Sequence, residues 1–128
     1  MTRFLVATGS VHTAAAACDY LESRLGPEDD VLVLSVREPD TPARDPGDAT
    51  NVARVRLAAA GTVEVEHREG DPTAAIRAVA AESDPDELVI GARRGDPGPG
   101  EATVGSTARE LLAAADRPVV VVPLPALT

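Results

Sequence analysis

The sequence predicts an α/β domain: a doubly wound, three-layer α/β/α sandwich on a five-stranded parallel sheet. Short continuous apolar runs alternate with stretches of helical periodicity along all 128 residues. Most of those runs are Val, Leu and Ile without polar alternation, the pattern of strands buried on both faces. The order β-α-β-α-β-α-β-α-β puts a helix between each pair of strands, which is what parallel pairing requires. The length suits one domain, residues 1–128, and no repeat recurs at a period of roughly 20–50 residues.

The first strand is Phe4 to Ala7, ending at Thr8-Gly9-Ser10. Val11, Ala14, Ala15, Cys18, Leu21 and Leu25 then recur at helical spacing, with Ser10 as N-cap and Gly26-Pro27 as the stop. Val31 to Val36 is the second strand. Glu38 to Asp48 carries three prolines among acidic residues and reads as a surface loop. Ala49 to Ala60 forms the second helix, ended by Gly61. Val63-Glu64-Val65-Glu66 alternates with period two, as an edge strand with one wet face does. Asp71 caps the third helix with Pro72 in its first position, and Ile76, Val79 and Ala80 form its apolar stripe. Glu87 to Ile90 is the fourth strand, followed by a loop from Gly91 to Thr103 with four glycines and two prolines. Val104, Ala108, Leu111, Leu112 and Ala115 mark the last helix, and Val119 to Val122 the last strand.

Composition excludes several function classes. All 12 basic residues are Arg; 21 acidic residues bring the net charge to -9. So acidic a surface repels nucleic-acid backbones and anionic lipid heads. Acidity without Lys suits a high-salt cytoplasm, where charge repulsion is screened; a GC-rich genome accounts for the same usage. With aromatics at 2%, the core must be built from Val, Leu, Ile and Ala. The single cysteine, Cys18, rules out an internal disulfide and reads as a small core residue. No run approaches the roughly 18 apolar residues of a membrane span, and the N-terminal apolar run is too short for a signal peptide, so the expected location is cytoplasmic. His12 and His67 lack the neighbours of a metal site. Without Lys there is no Walker-type phosphate lysine, and no Ser-His-Asp arrangement can be placed.

In a doubly wound sheet, ligands sit beyond the C-terminal strand ends where strand order reverses. Two segments are candidates for that place: Thr8-Gly9-Ser10, and Gly91-Ala92-Arg93-Arg94-Gly95 with its continuation to Gly105-Ser106-Thr107. Glycines at a strand exit let the backbone approach a ligand. Gly105, Ser106 and Thr107 open the last helix, whose free N–H groups and dipole favour an anion. Ser106 and Thr107 add hydroxyl donors, and Arg93 and Arg94 add positive charge. The chemistry points to phosphate, most simply that of a nucleotide.

The segment Leu88 to Gly95, the nine residues between Gly95 and Gly105, Gly105-Ser106-Thr107 and the ending Arg117-Pro118-Val119-Val120-Val121-Val122-Pro123 together resemble the signature of the universal stress protein family. The resemblance extends over essentially the whole chain. It implies the adenine nucleotide α-hydrolase-like fold with strand order 3-2-1-4-5 and a regulatory role in stress response. It implies ATP, with or without Mg²⁺, bound across the first and fourth strands. Adenine would lie near Thr8 and Gly9 and on the backbone near Val36. Phosphates and ribose would meet Gly91, Gly95, Gly105, Ser106 and Thr107. It further implies a homodimer through the last strand, Val119, Val120, Val121 and Val122, which would otherwise be an uncovered apolar edge.

The chain departs from the family pattern in three places. Thr8, or Gly9 under a one-residue shift, stands where nucleotide-binding members usually carry Asp. Arg93 and Arg94 lengthen the first glycine gap to three residues. Asp96 and Glu101 put two carboxylates into the spacer, each opposing a triphosphate by about 1 kcal/mol at moderate screening. Two further readings therefore stand beside nucleotide binding. One is a dimeric interaction module of the same fold without nucleotide; the other is a small enzyme, for which only His12 and the Arg pair offer proton-transfer or charge chemistry.

Overall fold

In a computed structural model of the chain, residues 1–8, 11–37, 46–58, 60–91 and 106–123 are described. Among them five strands alternate with four helices: β1 (Arg3–Thr8), α1 (Val11–Leu21), β2 (Asp30–Arg37), α2 (Pro46–Arg56), β3 (Thr62–Glu69), α3 (Pro72–Ser83), β4 (Glu87–Gly91), α4 (Ser106–Ala113) and β5 (Val119–Val122). The strands form one parallel sheet in the order β3-β2-β1-β4-β5.

Given that order, the right-handedness of parallel crossovers fixes the face on which each helix lies. β1, β2 and β3 progress toward one edge, so α1 and α2 lie on one face. The chain then crosses back to β4 beside β1, so α3 and α4 lie on the other. Side chains alternate along each strand and sort into two cores. Phe4, Val6, Val31, Val33, Val89 and Val122 pack with Ala17, Cys18, Leu21, Ala53 and Leu57 of the α1/α2 side. Leu5, Ala7, Leu34, Leu88 and Ile90 pack with Ile76, Val79, Ala80, Ala108 and Leu111 of the α3/α4 side. The central strand β1 therefore has no polar face. Each of its fully buried large side chains contributes roughly 1.5–3 kcal/mol.

Four segments differ from the sequence expectation. Helix α1 ends at Leu21, short of Gly26, because the amides of both Arg24 and Leu25 donate to the Leu21 carbonyl (2.8 and 3.0 Å) and tighten the last turn. Arg24 then folds back, its Nη1 donating to the Tyr20 carbonyl at 2.7 Å and its guanidinium lying 4.0 Å from the Tyr20 ring centre. Helix α2 starts at Pro46 rather than Ala49, since Pro suits a first helical turn, and it ends at Arg56. Gly61 does not cap it. Instead its amide donates to the Asp29 carbonyl at 2.9 Å, and a Cβ there would lie 2.2 Å from the Pro27 carbonyl oxygen. Strand β3 runs to Glu69 because all eight residues of β2 offer it a partner. Helix α4 buries only Ala108 and Leu111 of its expected stripe; Leu112 is 46% exposed and Ala115 is also exposed. Val104 lies outside the described residues.

Helix α3 follows its sequence signals closely. The Asp71 carboxylate accepts from the Ala74 amide at 2.9 Å, Pro72 opens the helix, and Ile76, Val79 and Ala80 are its buried residues.

The strand-entry end of the sheet is heavily tied. Asp29 accepts from the Thr2 and Gly26 amides, both at 2.9 Å. Arg3 and Asp86 exchange two hydrogen bonds at 2.8 Å each, amide to carboxylate and amide to carbonyl. Arg3 Nη1 also donates to the Ser83 carbonyl at 2.9 Å, and Arg117 Nη1 to the Pro85 carbonyl at 2.8 Å.

Candidate functional site

The strand order reverses between β1 and β4, and the exits of these two strands frame the crevice expected for a ligand. Thr8 ends β1 and is paired in register with Ser35 of β2. Gly91 ends β4 one step beyond the Ala7–Ile90 pair, beside Thr8. Alternation puts all three positions toward the α1/α2 side, giving a row Gly91, Thr8, Ser35 across three adjacent strands. The row is flanked by Val122, paired with Gly91, and by His67, paired with Ser35 and exposed.

The sequence places small or hydroxyl-bearing residues where apolar strands give out. Thr8 closes a run of four buried residues and is itself 3% exposed; its hydroxyl donates to the Leu34 carbonyl at 3.4 Å. That leaves its oxygen free to accept. Ser35 interrupts the otherwise apolar run Val31 to Val36 and is 6% exposed. Val36 points to the other face, packed against the α3/α4 core. Gly91 presents no side chain.

Helix α4 returns from the exit of β4 to the entry of β5, so it runs against the strands. Its first residue, Ser106, therefore stands at the strand-exit end with the positive end of the helix dipole. Thr107 follows and is half-buried. Of the expected site residues, Thr8, Val36, Gly91, Ser106 and Thr107 are thus placed at this end. Gly9, Arg93, Arg94, Gly95 and Gly105 lie outside the described residues. Ser35 was not singled out from sequence, although a lone polar residue in a doubly buried strand is a readable signal.

Other candidates fall elsewhere. His12 lies in the first turn of α1. Cys18 is buried in the α1/α2 core, and burial pushes its thiol up to about 11, away from thiolate chemistry. Among the described residues no group of three His, Cys, Asp or Glu side chains is arranged to hold a metal ion, and no helix is long and apolar enough to cross a membrane. A cleft at the opposite, strand-entry end is lined by Arg3, Asp30, Leu32, Thr62 and Glu64. There Arg3 is already engaged by the Ser83 carbonyl and, at 3.9 Å, by Asp30.

Residues 1–123 match the model of the universal stress protein family. No curated protein sequence matches the chain. Among solved structures, the fold is similar to that of hypothetical protein MJ0577, with a TM-score of 0.79, 18% identity and 98% of both chains covered. It is similar to a universal stress protein in complex with cAMP, at a TM-score of 0.71, 20% identity and coverage of 97% of this chain and 98% of that one. It is also similar to the universal stress protein family protein At3g01520 from Arabidopsis thaliana with AMP bound, at a TM-score of 0.64, 15% identity and coverage of 98% and 94%. At these identities the likeness is one of fold.

Proposed function

The chain belongs to the universal stress protein family, and from that premise we propose that it binds ATP or a related adenine nucleotide as a regulatory ligand, across the exits of β1 and β4. The observation that carries this reading is the row Gly91, Thr8, Ser35 at the point of strand reversal, with the start of α4 at the same end of the sheet. Small residues leave room for a ligand against the strand ends. The first turn of α4, with Ser106 and Thr107, supplies amide donors and the positive dipole end for phosphate. Gly91 begins the glycine segment that continues through Arg93, Arg94 and Gly95 to Gly105, and these residues would enclose the phosphates. Thr8, Gly9 and the backbone at Val36 would hold the nucleoside. Two fold relatives bear cAMP and AMP, which supports a mononucleotide. Mg²⁺ would arrive with the phosphates of ATP. In this reading the ligand is bound and released, with at most slow hydrolysis.

Calorimetric titration with ATP, ADP and AMP, at low and at molar salt, tests this. A ligand present at 100 times its Kd should stabilise the protein by about 2.7 kcal/mol, visible as a raised melting temperature. Absence of both heat and melting shift at millimolar nucleotide overturns the proposal.

A second reading places function in a homodimer formed through β5. It is favoured by the position of β5 at the sheet edge, with Val119, Val120 and Val121 only half-buried. Sedimentation of Val120→Glu against the parent chain tests it. A shift from dimer to monomer supports the interface; a parent chain that is monomeric at high micromolar concentration removes it.

A further inference from the structure

Ser35 is 94% shielded from solvent (6% exposed), yet among the described residues its hydroxyl makes no hydrogen bond. Among the described residues, no side-chain nitrogen or oxygen that is sealed from solvent lacks a partner. The Ser35 hydroxyl must therefore retain an open side, despite the burial of the rest of the residue. It stands in register with Thr8, whose oxygen retains acceptor capacity, and two strands away from Gly91. Adjacent strands are about 4.8 Å apart, so Ser35 is about 10 Å across the sheet from the glycine exit. That is the span over which a mononucleotide runs from its phosphate to its base.

We propose that Ser35 is a specificity-determining residue that hydrogen-bonds the 6-substituent of a purine base, and that the site accepts 6-amino and 6-oxo purine nucleotides alike. This rests on the nucleotide reading above. A hydroxyl is both donor and acceptor, and its hydrogen rotates to suit its partner. It gives a bond to a 6-oxo group and takes one from a 6-amino group. Thr8 at the neighbouring position has the same dual character, though its proton is engaged by the Leu34 carbonyl. A carboxylate in the same place would only accept; it would select the amino purine and leave an oxo purine facing an unpaired charge. The described part of the row, Gly91, Thr8 and Ser35, contains no carboxylate. Substitution of Ser35 by Ala removes a hydroxyl without a partner among the described residues, so the variant should fold as the parent does.

The test compares AMP, IMP and purine riboside monophosphate, which lacks any 6-substituent, by titration calorimetry on the parent chain and on Ser35→Ala. AMP and IMP should bind the parent within about threefold of each other. Purine riboside monophosphate should bind it about 3- to 10-fold more weakly, the range of one net hydrogen bond. In Ser35→Ala that penalty should vanish, all three ligands converging on the weaker value. If the parent binds AMP but Ser35→Ala keeps the same affinities and ranking, the role of Ser35 is overturned while nucleotide binding stands. A parent preference for AMP over IMP of 100-fold or more overturns the tolerance. If none of the three binds the parent, the nucleotide reading fails and this assignment with it.

Discussion

The two ends of the sheet are built on opposite principles. At the strand-entry end, charged side chains are spent on the backbone: Asp29 holds two amides, Asp86 holds the amide of Arg3, and Arg3 and Arg117 each cap a carbonyl at a chain turn. At the strand-exit end, the residues are Thr8, Ser35 and Gly91, and the one described side-chain bond in that row is the 3.4 Å contact from Thr8. Charge-assisted bonds to backbone are among the stronger polar contacts in a protein. They register the strands from one end, whereas the described row Gly91, Thr8, Ser35 at the other carries only that one long side-chain bond. If the strand-exit end binds a ligand as proposed, stability and binding are separated along the strand direction.

Substitutions at the two ends should test this contrast. The largest effect is expected at Gly61, where a methyl group would meet the Pro27 carbonyl oxygen at 2.2 Å. Gly61→Ala should cost about 1–3 kcal/mol, read from chemical denaturation; an unchanged midpoint would remove the close approach as a constraint. Next comes Asp29→Asn. Bonds from the Gly26 and Thr2 amides hold the Asp29 carboxyl below its ordinary value of 3.8. A depressed carboxyl contributes stability above its unfolded pKa and loses it as pH falls through the folded one. The melting temperature of the variant should therefore fall below the parent at pH 7, and the gap should close as pH drops below about 4. A gap that persists at pH 2 would place the effect outside the carboxylate.

Cys18 gives a milder, independent reading. It is 1% exposed with its thiol raised to about 11, so a thiol reagent should label it only when the α1/α2 side opens. Labelling should accelerate in Gly61→Ala and Asp29→Asn and stay near the parent rate in Ser35→Ala. The smallest effect is expected for Thr8→Val, which loses only a long hydrogen bond. A stability change of about 1 kcal/mol or less fits that contact. A change as large as that of Gly61→Ala would erase the distinction between the ends.

Particular residues show how much could be read without coordinates. Asp71, Pro72 and the stripe Ile76, Val79, Ala80 carried helix α3 outright, because cap, first turn and buried face are all local signals. Gly61 was legible as a break but not as the neighbour of Pro27 and Asp29, since that contact joins segments more than thirty residues apart. Ser35 is legible within its own strand as a lone polar residue, but not as part of a site. Its position matters because β1 sets Thr8 beside it and β4 sets Gly91 one strand further.

The amino-acid sequence alone determined the alternation of strands and helices, the all-aliphatic core and the identity of the small residues at the first and fourth strand exits. These depend on periodicity, composition and local turn chemistry, which act over a few neighbouring residues. Tertiary structure alone decided that Gly61 must lack a side chain and that Gly91, Thr8 and Ser35 form one row. Each of those depends on which distant segments meet, and parallel pairing sets that meeting only once the whole sheet has assembled.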